Sequence, residues 1–482
     1  MSKKLSLLDL AFFIAESEAS PKHVAGLLIF ERPPKGGAGY AKKLYQDLLA
    51  ATDVQPPFNR VINFSLSGWP CWEEVDEVDL SQHIFYHKLK PKQNSRSDLY
   101  QFVSQLHTPM LDRSRPLWEA HVIDGLPDGR FALYQKMHHA CADGITMARW
   151  TAECLQEQAD AEHFVPVWTL QYNKRSSDKR RAQNQQILQN MMSGAKGFGL
   201  QMLGIGRLAT MLLLEAVNLT KNAIALPFVA NGHTPLTGQV TRGRQFATVS
   251  VPMERINHVR NLTRSTLNHV ALTCLDGALH RYLQDQGVKL EQPITIQMPV
   301  NLRQEGEKSL GNKIGIILVE LSPPTDDPYV RLRNIGFSLR NVRTMVDSVA
   351  PAAIESYTII MGLFGQIAEM LNMSDKAPPT GNTLVSNVPG PSKHLYMRDA
   401  KMLEMHPIST LPPSNLLNIT LFSYAGQLAF GLIATDKLPN LERLAEYIDQ
   451  SFTELESSVS APLAPAREAP AKPKKTLKFF KE

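Results

Sequence analysis

Apolar and polar residues follow one another along this chain in two periods, which predict strands and helices in turn. The segment EVDEVDLSQHIFYHKL, the helical stretch SDLYQFVSQLHTPML and the apolar segment WEAHVIDGL come in this order within residues 74–126. Strands that alternate with helices are typical of a mixed α/β architecture. The pattern therefore predicts an α/β fold.

A change in composition divides the chain near residue 240. Residues 170–195 are polar and basic, and residues 196–230 form a long Gly- and Met-rich stretch with helical spacing. The last residues are rich in Ala, Pro and Lys, a composition that does not pack into a core. The predicted units are an N-terminal half (1–165), a helical crossover linker (166–240), a C-terminal half (241–458) and a disordered basic tail (459–482).

Charge and cysteine content limit the partners and the compartment. The formal net charge of +5 arises from 51 basic and 46 acidic residues, which is too mild to indicate a nucleic-acid partner. The four cysteines form no CxxC pair, so we expect reduced thiols in a cytoplasmic protein. The cysteines therefore favour a cytoplasmic protein, while the mild charge would not repel an anionic substrate or membrane and decides nothing more.

The most apolar segments do not predict a secretion signal or a membrane span. The N-terminus has two lysines before an apolar run, but Asp9 interrupts that run and Glu16 follows it closely. A span needs about 18 or more consecutive apolar residues. Arg207, Glu215 and Lys221 interrupt the best candidate for a span. We therefore expect no transmembrane helix.

Residues 134–146, YQKMHHACADGIT, carry the chemistry that the sequence suggests. A turn signal and the segment RFALYQKM predict a strand that ends near two adjacent histidines. Apolar residues then recur at helical spacing, and Asp143 and Gly144 stand where the helix begins. The segment is thus predicted to be a strand, a tight turn and a helix.

Adjacent side chains in extended backbone point to opposite faces, so only one of His138 and His139 can face a cleft. A neutral imidazole with a pKa near 6.5 can accept a proton from a hydroxyl that attacks a carbonyl. The chain has neither a GxSxG elbow nor a GxxxxGK[ST] loop, and Cys141 lacks an evident base. The residues alone leave three interpretations open: a general base, a metal site at His139 and Asp143, or a capped turn with buried imidazoles.

The string HHACADG resembles the HHxxxDG motif of the chloramphenicol-acetyltransferase-like superfamily. Its flanks resemble those of one branch, the bacterial wax ester synthase/diacylglycerol acyltransferase (WS/DGAT) family. The similar blocks, in the family's order, are LDRSRPLWEAHVIDGL (111–126), MPVNLR (298–303) with Gly311-Asn312, SNVPGP (386–391) and LNITLFSYAGQLAFGL (417–432). The resemblance runs from LSLLD near the start to about residue 458.

The resemblance implies a fold and a first set of roles. The expected fold is a pseudo-dimer of two chloramphenicol-acetyltransferase-like α/β halves with an active-site tunnel between them. His139 is then the general base, and His138 faces inward and holds the turn. Asp143 is expected to support the loop by pairing with an arginine, for which Arg303 is the candidate. We expect Gly144 to let the backbone turn into the helix.

The second half supplies one more expected catalytic residue. Asn268 is predicted to donate its amide to the developing oxyanion or to orient the thioester. The next residue is His269, where the family commonly has aspartate, and residues 412–414 are Pro-Pro-Ser, where the family usually has a glycine. Apolar residues over 354–371 have helical spacing, which more often indicates core than a pocket wall.

The resemblance also implies substrates, partners and a location. The donor is a fatty acyl-CoA as co-substrate, with no resident cofactor, no metal and no covalent acyl-enzyme. The acceptor is a long-chain alcohol or diacylglycerol, met at the inner membrane face or a lipid-droplet surface. Residues 196–230 and the basic tail are the candidates for that peripheral contact. The alternatives are a condensation-type acyltransferase with another acceptor and a non-catalytic lipid-droplet surface protein.

Overall fold

The structure, a computed structural model, describes residues 3–64, 70–171, 230, 232–301, 314–349 and 351–460. Most of the predicted linker, residues 461–482 of the predicted tail, Arg303 and Gly311-Asn312 lie outside these residues. The strands are β1 (Lys3–Lys4), β2 (His23–Glu31), β3 (Arg60–Asn63), β4 (Cys71–Glu74), β5 (Ile84–Lys88), β6 (Trp118–Asp124), β7 (Arg130–His138), β8 (Arg244–Pro252), β9 (Thr295–Asn301), β10 (Ile314–Glu320), β11 (Thr383–Val388), β12 (Tyr396–Met397), β13 (Ala400–Ile408), β14 (Leu417–Tyr424) and β15 (Gln427–Thr435). The helices are α1 (Leu7–Ala15), α2 (Tyr40–Ala50), α3 (Arg96–His107), α4 (Gly144–Cys154), α5 (Met253–Thr263), α6 (Leu267–Asp285), α7 (Pro328–Asp347), α8 (Pro351–Met370) and α9 (Leu441–Ser460).

Two mixed sheets of six strands dominate the molecule. The N-terminal sheet has the order β12-β13-β2-β7-β6-β5, and the C-terminal sheet has the order β10-β9-β11-β14-β15-β8. The prediction of β5, α3 and β6 in sequence is confirmed, and so is the mixed α/β fold with two halves. A small third sheet, β1-β4-β3, lies beside α1.

The N-terminal sheet contains a strand from the C-terminal part of the chain. Strand β13 pairs antiparallel with β2, so that His406 lies opposite Leu27 and Ile408 lies opposite Ala25. The same strand packs closely on β15 of the other sheet, because the Pro407 carbonyl occupies the space where a Cβ at Gly431 would lie. Strand β13 therefore joins the two sheets.

Buried apolar residues form separate clusters that hold the helices and sheets around the site in place. The largest cluster packs α6 and α9 against the C-terminal sheet, and a second packs α2 and α4 against the N-terminal sheet. A small third cluster buries Leu10 and Phe13 of α1 against Trp72 and Ala140. This cluster holds α1 directly beside the turn that follows β7. No helix within the described ranges is long and apolar enough to cross a membrane.

Candidate active site

The predicted strand, turn and helix around the two histidines are present. Strand β7 ends at His138, and α4 begins at Gly144. Asp143 is the N-cap of α4, and its Oδ1 accepts a hydrogen bond from the Thr146 amide at 2.8 Å. An N-cap carboxylate satisfies an amide that the helix leaves unpaired and favours the positive end of the helix dipole. The capped turn therefore holds both histidines in fixed positions.

His138 faces the protein interior and is fully buried. Its Nδ1 accepts a hydrogen bond from the Ala140 amide at 3.1 Å, and its Nε2 lies 3.4 Å from Glu16 Oε1. Because Nδ1 accepts, the proton of the neutral ring is on Nε2 and faces the carboxylate. The ring of Phe13 stacks on that of His138, with centroids 4.3 Å apart.

Glu16 holds its charge although it is buried. Its Oε2 accepts a hydrogen bond from Arg113 Nη2 at 2.7 Å, and its Oε1 accepts one from the Lys22 amide at 3.1 Å. Burial alone raises the pKa of this carboxyl, but the contacts with His138, Arg113 and Lys22 outweigh it and lower the pKa to about 2. Glu16 was not predicted as a site residue, because its contact with His138 arises only in the folded chain.

His139 lines an apolar cavity in the described part of the chain. Its backbone amide donates to the Lys22 carbonyl at 2.8 Å, and its ring stacks on Phe12 at a centroid distance of 4.3 Å. Two consecutive phenylalanines of α1 thus stack on two consecutive imidazoles. His139 lies at the cavity wall while His138 lies in the body of the protein.

The cavity has a volume of about 290 Å³ and a mostly apolar wall from both halves of the chain. Contributions come from α1, β2 and α4 of the N-terminal half and from β9, α8, β11 and β14 of the C-terminal half. Helix α8 was expected to be plain core, yet part of it faces the cavity. Its lining residues are Thr358, Ile359, Met361, Gly362, Leu363 and Gln366. Pro412 and Pro413, where the family usually has a glycine, line the cavity too.

Asn268 does not line the cavity, but it is bonded to a residue that does. It lies in the first turn of α6, and its Oδ1 accepts a hydrogen bond from Asn387 Nδ2 at 2.7 Å. Asn387 lies near the end of β11 and lines the cavity together with His139. Asn387 belongs to the block SNVPGP but was not predicted as a site residue. The sequence signal that could have identified Asn387 was its position in the family block at 386–391.

Gly144 serves a different purpose from the one expected. It is the first residue of α4, and its φ is not among the positive values that favour glycine. The backbone therefore turns into the helix without needing glycine's freedom. Gly144 instead lines the cavity, where a Cβ would meet Val388 Cγ2 at 3.4 Å. The expected partner of Asp143, Arg303, lies outside the described residues.

The described residues limit the other chemistries that the sequence left open. They contain no group of three or more His, Cys, Asp or Glu side chains able to hold a metal ion. Burial raises the pKa of the Cys141 thiol far above its ordinary value, which disfavours the thiolate that a cysteine nucleophile needs. The arrangement of an imidazole at an apolar cavity favours base catalysis.

Comparison with known families decides the class of protein. A family model described as the wax ester synthase/diacylglycerol acyltransferase catalytic domain matches residues 5–271. A second model, the C-terminal domain of the same family, matches residues 310–456. The chain belongs to the WS/DGAT family. This acyltransferase thus matches the family on both sides of the segment between residues 271 and 310.

Individual relatives agree with this assignment over almost their full lengths. A Mycobacterium tuberculosis protein provisionally named a diacylglycerol O-acyltransferase is 32% identical, with 94% of this chain and 100% of the relative covered. A wax ester synthase/diacylglycerol acyltransferase from Marinobacter aquaeolei has 29% identity and a TM-score of 0.75, with 95% of this chain and 100% of that one covered. A condensation domain of the calcium-dependent antibiotic synthetase covers 96% of this chain and 98% of its own at a TM-score of 0.59, but its 13% identity shows the fold alone.

One departure from the family pattern has a structural explanation in this acyltransferase. Thr266 caps α6, its Oγ1 accepts from the His269 amide at 3.3 Å, and His269 Nδ1 accepts weakly from the Thr266 amide at 3.5 Å. This is the reciprocal capping-box arrangement in which an acidic or amide side chain usually takes the third helical position. Burial and the charge of Arg340 lower the pKa of His269, which keeps Nδ1 available as an acceptor. His269 therefore supports the helix that carries Asn268.

Proposed function

We propose that this acyltransferase moves a fatty acyl group from acyl-CoA to a long-chain alcohol or diacylglycerol, with His139 as general base. The observation that carries the proposal is the position of His139 at the wall of an apolar cavity lined by both halves of the chain. The names of the relatives support the substrate classes, since they include a diacylglycerol O-acyltransferase and a wax ester synthase. Apolar walls suit the long hydrocarbon chains of both substrates.

The proposed reaction is a direct transfer in one active site. The hydroxyl oxygen of the acceptor attacks the thioester carbonyl carbon while His139 takes the hydroxyl proton. The tetrahedral intermediate then collapses, the C–S bond breaks, and the imidazolium returns the proton to the leaving thiolate of CoA. No acyl-enzyme is required, because the acceptor hydroxyl itself attacks the donor.

Neighbouring residues would keep the base in position and stabilise the intermediate. Phe12 holds one face of the His139 ring, and Glu16 fixes His138 at the preceding position. Asn387 is our candidate donor to the oxyanion, and Asn268 is its positioning residue, because their side chains are hydrogen-bonded at 2.7 Å. A donor aimed at the developing negative charge typically contributes about two to three orders of magnitude to kcat.

A product assay tests the proposed reaction. Purified protein is incubated with radiolabelled palmitoyl-CoA and either hexadecanol or dioleoylglycerol, and the lipids are separated by thin-layer chromatography. We expect labelled wax ester, triacylglycerol or both from the wild type, and no product above background from His139→Gln. His258→Gln, an exposed histidine on α5, is the matched control and keeps wild-type activity. Failure of the wild type with both acceptors would overturn the proposed function, and activity in His139→Gln would remove His139 as the base.

We also propose that this enzyme meets its insoluble acceptor at the cytoplasmic face of the membrane or at a lipid droplet. An apolar stripe near the end of α8 supports this: Phe364, Ile367, Met370, Leu371 and Met373 are between 41% and 63% exposed. Large exposed apolar patches mark interaction surfaces. The stripe lies on the same helix as Leu363 and Gln366, which line the cavity, so a lipid that contacts it is close to the site.

Co-sedimentation with vesicles tests the lipid contact. Ile367→Glu together with Leu371→Glu is expected to reduce binding to phosphatidylcholine vesicles that contain dioleoylglycerol. Leu262→Glu is the control, since Leu262 is 53% exposed on α5 and outside the stripe. Equal binding by the double variant, the control and the wild type would exclude the stripe as the contact.

A further inference from the structure

One corner of the apolar cavity is polar, and the proposed reaction does not use it. Lys22 lines the cavity but is only 2% exposed. Its Nζ donates to Ser20 Oγ at 2.7 Å and to the Leu411 carbonyl at 2.9 Å. A lysine ammonium has three hydrogens, so one donor remains for a group in the cavity.

Asn418 brings an unused acceptor to the same corner. Its Nδ2 donates to the Thr410 carbonyl, which fixes the orientation of the amide and leaves Oδ1 as the acceptor. Within the described residues, the buried Oδ1 has no hydrogen-bond partner. Asn418 and Lys22 bind the carbonyls of the adjacent residues Thr410 and Leu411, so both side chains contact the same short segment of the cavity wall.

Gln366 adds a second unused acceptor from α8. It lines the cavity and is 6% exposed, and its buried Oε1 has no hydrogen-bond partner in the described part of the chain. Nearly all buried polar groups in folded proteins are hydrogen-bonded, and one left unpaired is costly. Two such acceptors, in the wall of a cavity that also holds a lysine with a donor to spare, indicate a site for a polar group of a ligand.

The charge of this corner is balanced, so it favours a neutral ligand group. Burial and the positive charge of Arg244 lower the pKa of Lys22 to about 8, while the nearby carboxylates of Glu369 and Glu16 oppose that shift. Lys22 thus remains mostly protonated at neutral pH, and Glu369 offsets its charge. The unpaired Asn418 and Gln366 oxygens would repel an anion but would accept a hydrogen bond.

The corner adjoins the proposed base. The carbonyl of Lys22 accepts the hydrogen bond from the His139 amide at 2.8 Å, so the two residues are on adjacent backbone segments. A substrate group bound at the Lys22 ammonium is therefore no further from the backbone of His139 than about the length of a lysine side chain.

We propose that Lys22, Asn418 and Gln366 bind a second hydroxyl of the acceptor, next to the hydroxyl that reacts. A hydroxyl can accept from Lys22 and donate to Asn418 at once, whereas an ester carbonyl can only accept and a plain alkyl chain can do neither. The inference rests on the proposed function, and it names 1,2-diols and monoacylglycerols as preferred over simple fatty alcohols. Diacylglycerol, with ester carbonyls only, is intermediate.

A series of acceptors tests the inference with the wild-type enzyme. The probes are 1,2-hexadecanediol, 2-methoxyhexadecan-1-ol and 1-hexadecanol, each with palmitoyl-CoA. We expect kcat/KM for the diol to exceed that for hexadecanol by about tenfold or more, because losing a hydrogen bond to a buried polar site has at least this effect. The methoxy compound keeps the acceptor but loses the donor, so it falls between them. Equal values for the diol and hexadecanol would overturn the inference, while absence of product from all three would overturn the proposed function instead.

Two variants locate the effect in the corner. Gln366→Met removes an unpaired amide without breaking a described hydrogen bond, and Lys22→Met replaces the ammonium with an apolar side chain of similar size. Both are expected to reduce the ratio of diol to hexadecanol kcat/KM at least severalfold. Lys136→Met is the matched control, because Lys136 is also a buried lysine but pairs with Glu119 outside this cavity. An unchanged ratio in Gln366→Met and Lys22→Met, or an equal fall in Lys136→Met, would contradict the assignment.

Discussion

Phe12 and His139 are stacked face to face, with ring centroids 4.3 Å apart and ring planes 13° from parallel. The stack limits rotation of the imidazole and covers one of its faces. Phe12→Leu keeps an apolar side chain but loses the flat surface, so we predict a fall in kcat of between about threefold and a hundredfold from misplacement of the base. Initial rates of the variant and the wild type at saturating acyl-CoA measure this fall in kcat. Phe85→Leu is the control, because Phe85 stacks on His121 and does not line the cavity; an equal fall in both variants would contradict a specific role for Phe12.

Glu16 links the histidine turn to α1 and to Arg113. We predict that Glu16→Gln lowers the free energy of unfolding at pH 7 by about 1–3 kcal/mol, since charged hydrogen bonds are lost from a buried site. Urea denaturation of the variant and the wild type measures the difference. Glu18→Gln, whose side chain is 80% exposed, should unfold like the wild type.

The difference in free energy of unfolding between the wild type and Glu16→Gln should change with pH in one defined direction. The pKa of Glu16 is lowered in the folded protein to about 2 from an ordinary value of 4.5. The stability contributed by the carboxylate is therefore fully present above pH 4.5 and is lost as the pH falls towards 2. We expect the gap between wild type and Glu16→Gln to narrow as the pH decreases below about 4.5. A gap that widens in acid would contradict this assignment.

Asn387 and Asn268 should act as one unit. We predict that Asn387→Ala lowers kcat by about two to three orders of magnitude, the scale of a lost oxyanion donor. Asn268→Ala should have a smaller effect, because in our proposal Asn268 acts only through its hydrogen bond with Asn387. The double variant should be no slower than Asn387→Ala alone, since residues in one hydrogen-bonded chain are not additive. Additive losses of kcat in a double-mutant cycle would show that each residue acts independently.

His269 offers a route to a more stable enzyme. We predict that His269→Asp raises the free energy of unfolding by about 0.5–1 kcal/mol, because a carboxylate completes the capping box and interacts favourably with the helix dipole. The positive charge of nearby Arg340 should add a favourable interaction with the new carboxylate. Urea midpoints measure it, with His258→Asp as an exposed control on another helix. A lower midpoint for His269→Asp would mean that the imidazole makes a contact that aspartate cannot replace.

Local patterns predicted the strand, turn and helix around His139 because hydrophobic period and capping depend on neighbours in sequence. Glu16 and Asn387 were not predicted, since each reaches the site through contacts between distant segments. Helix α8 was expected to be core for a related reason. An apolar stripe at helical spacing looks the same whether it faces other side chains or a cavity that will hold an alkyl chain.

Strand β13 also has a consequence for synthesis on the ribosome. Strand β2 begins at residue 23 and pairs with β7 on one side, but its partner on the other side, β13, begins only at residue 400, so β2 is made long before β13 can cover that edge. Eight of the nine residues of β2 are buried in the finished protein. The nascent chain therefore carries an open, mostly apolar sheet edge for most of its translation, and such edges recruit other chains. A nonsense codon anywhere before β13 is thus expected to give an aggregating fragment that depends on chaperones, and not a stable half of the enzyme.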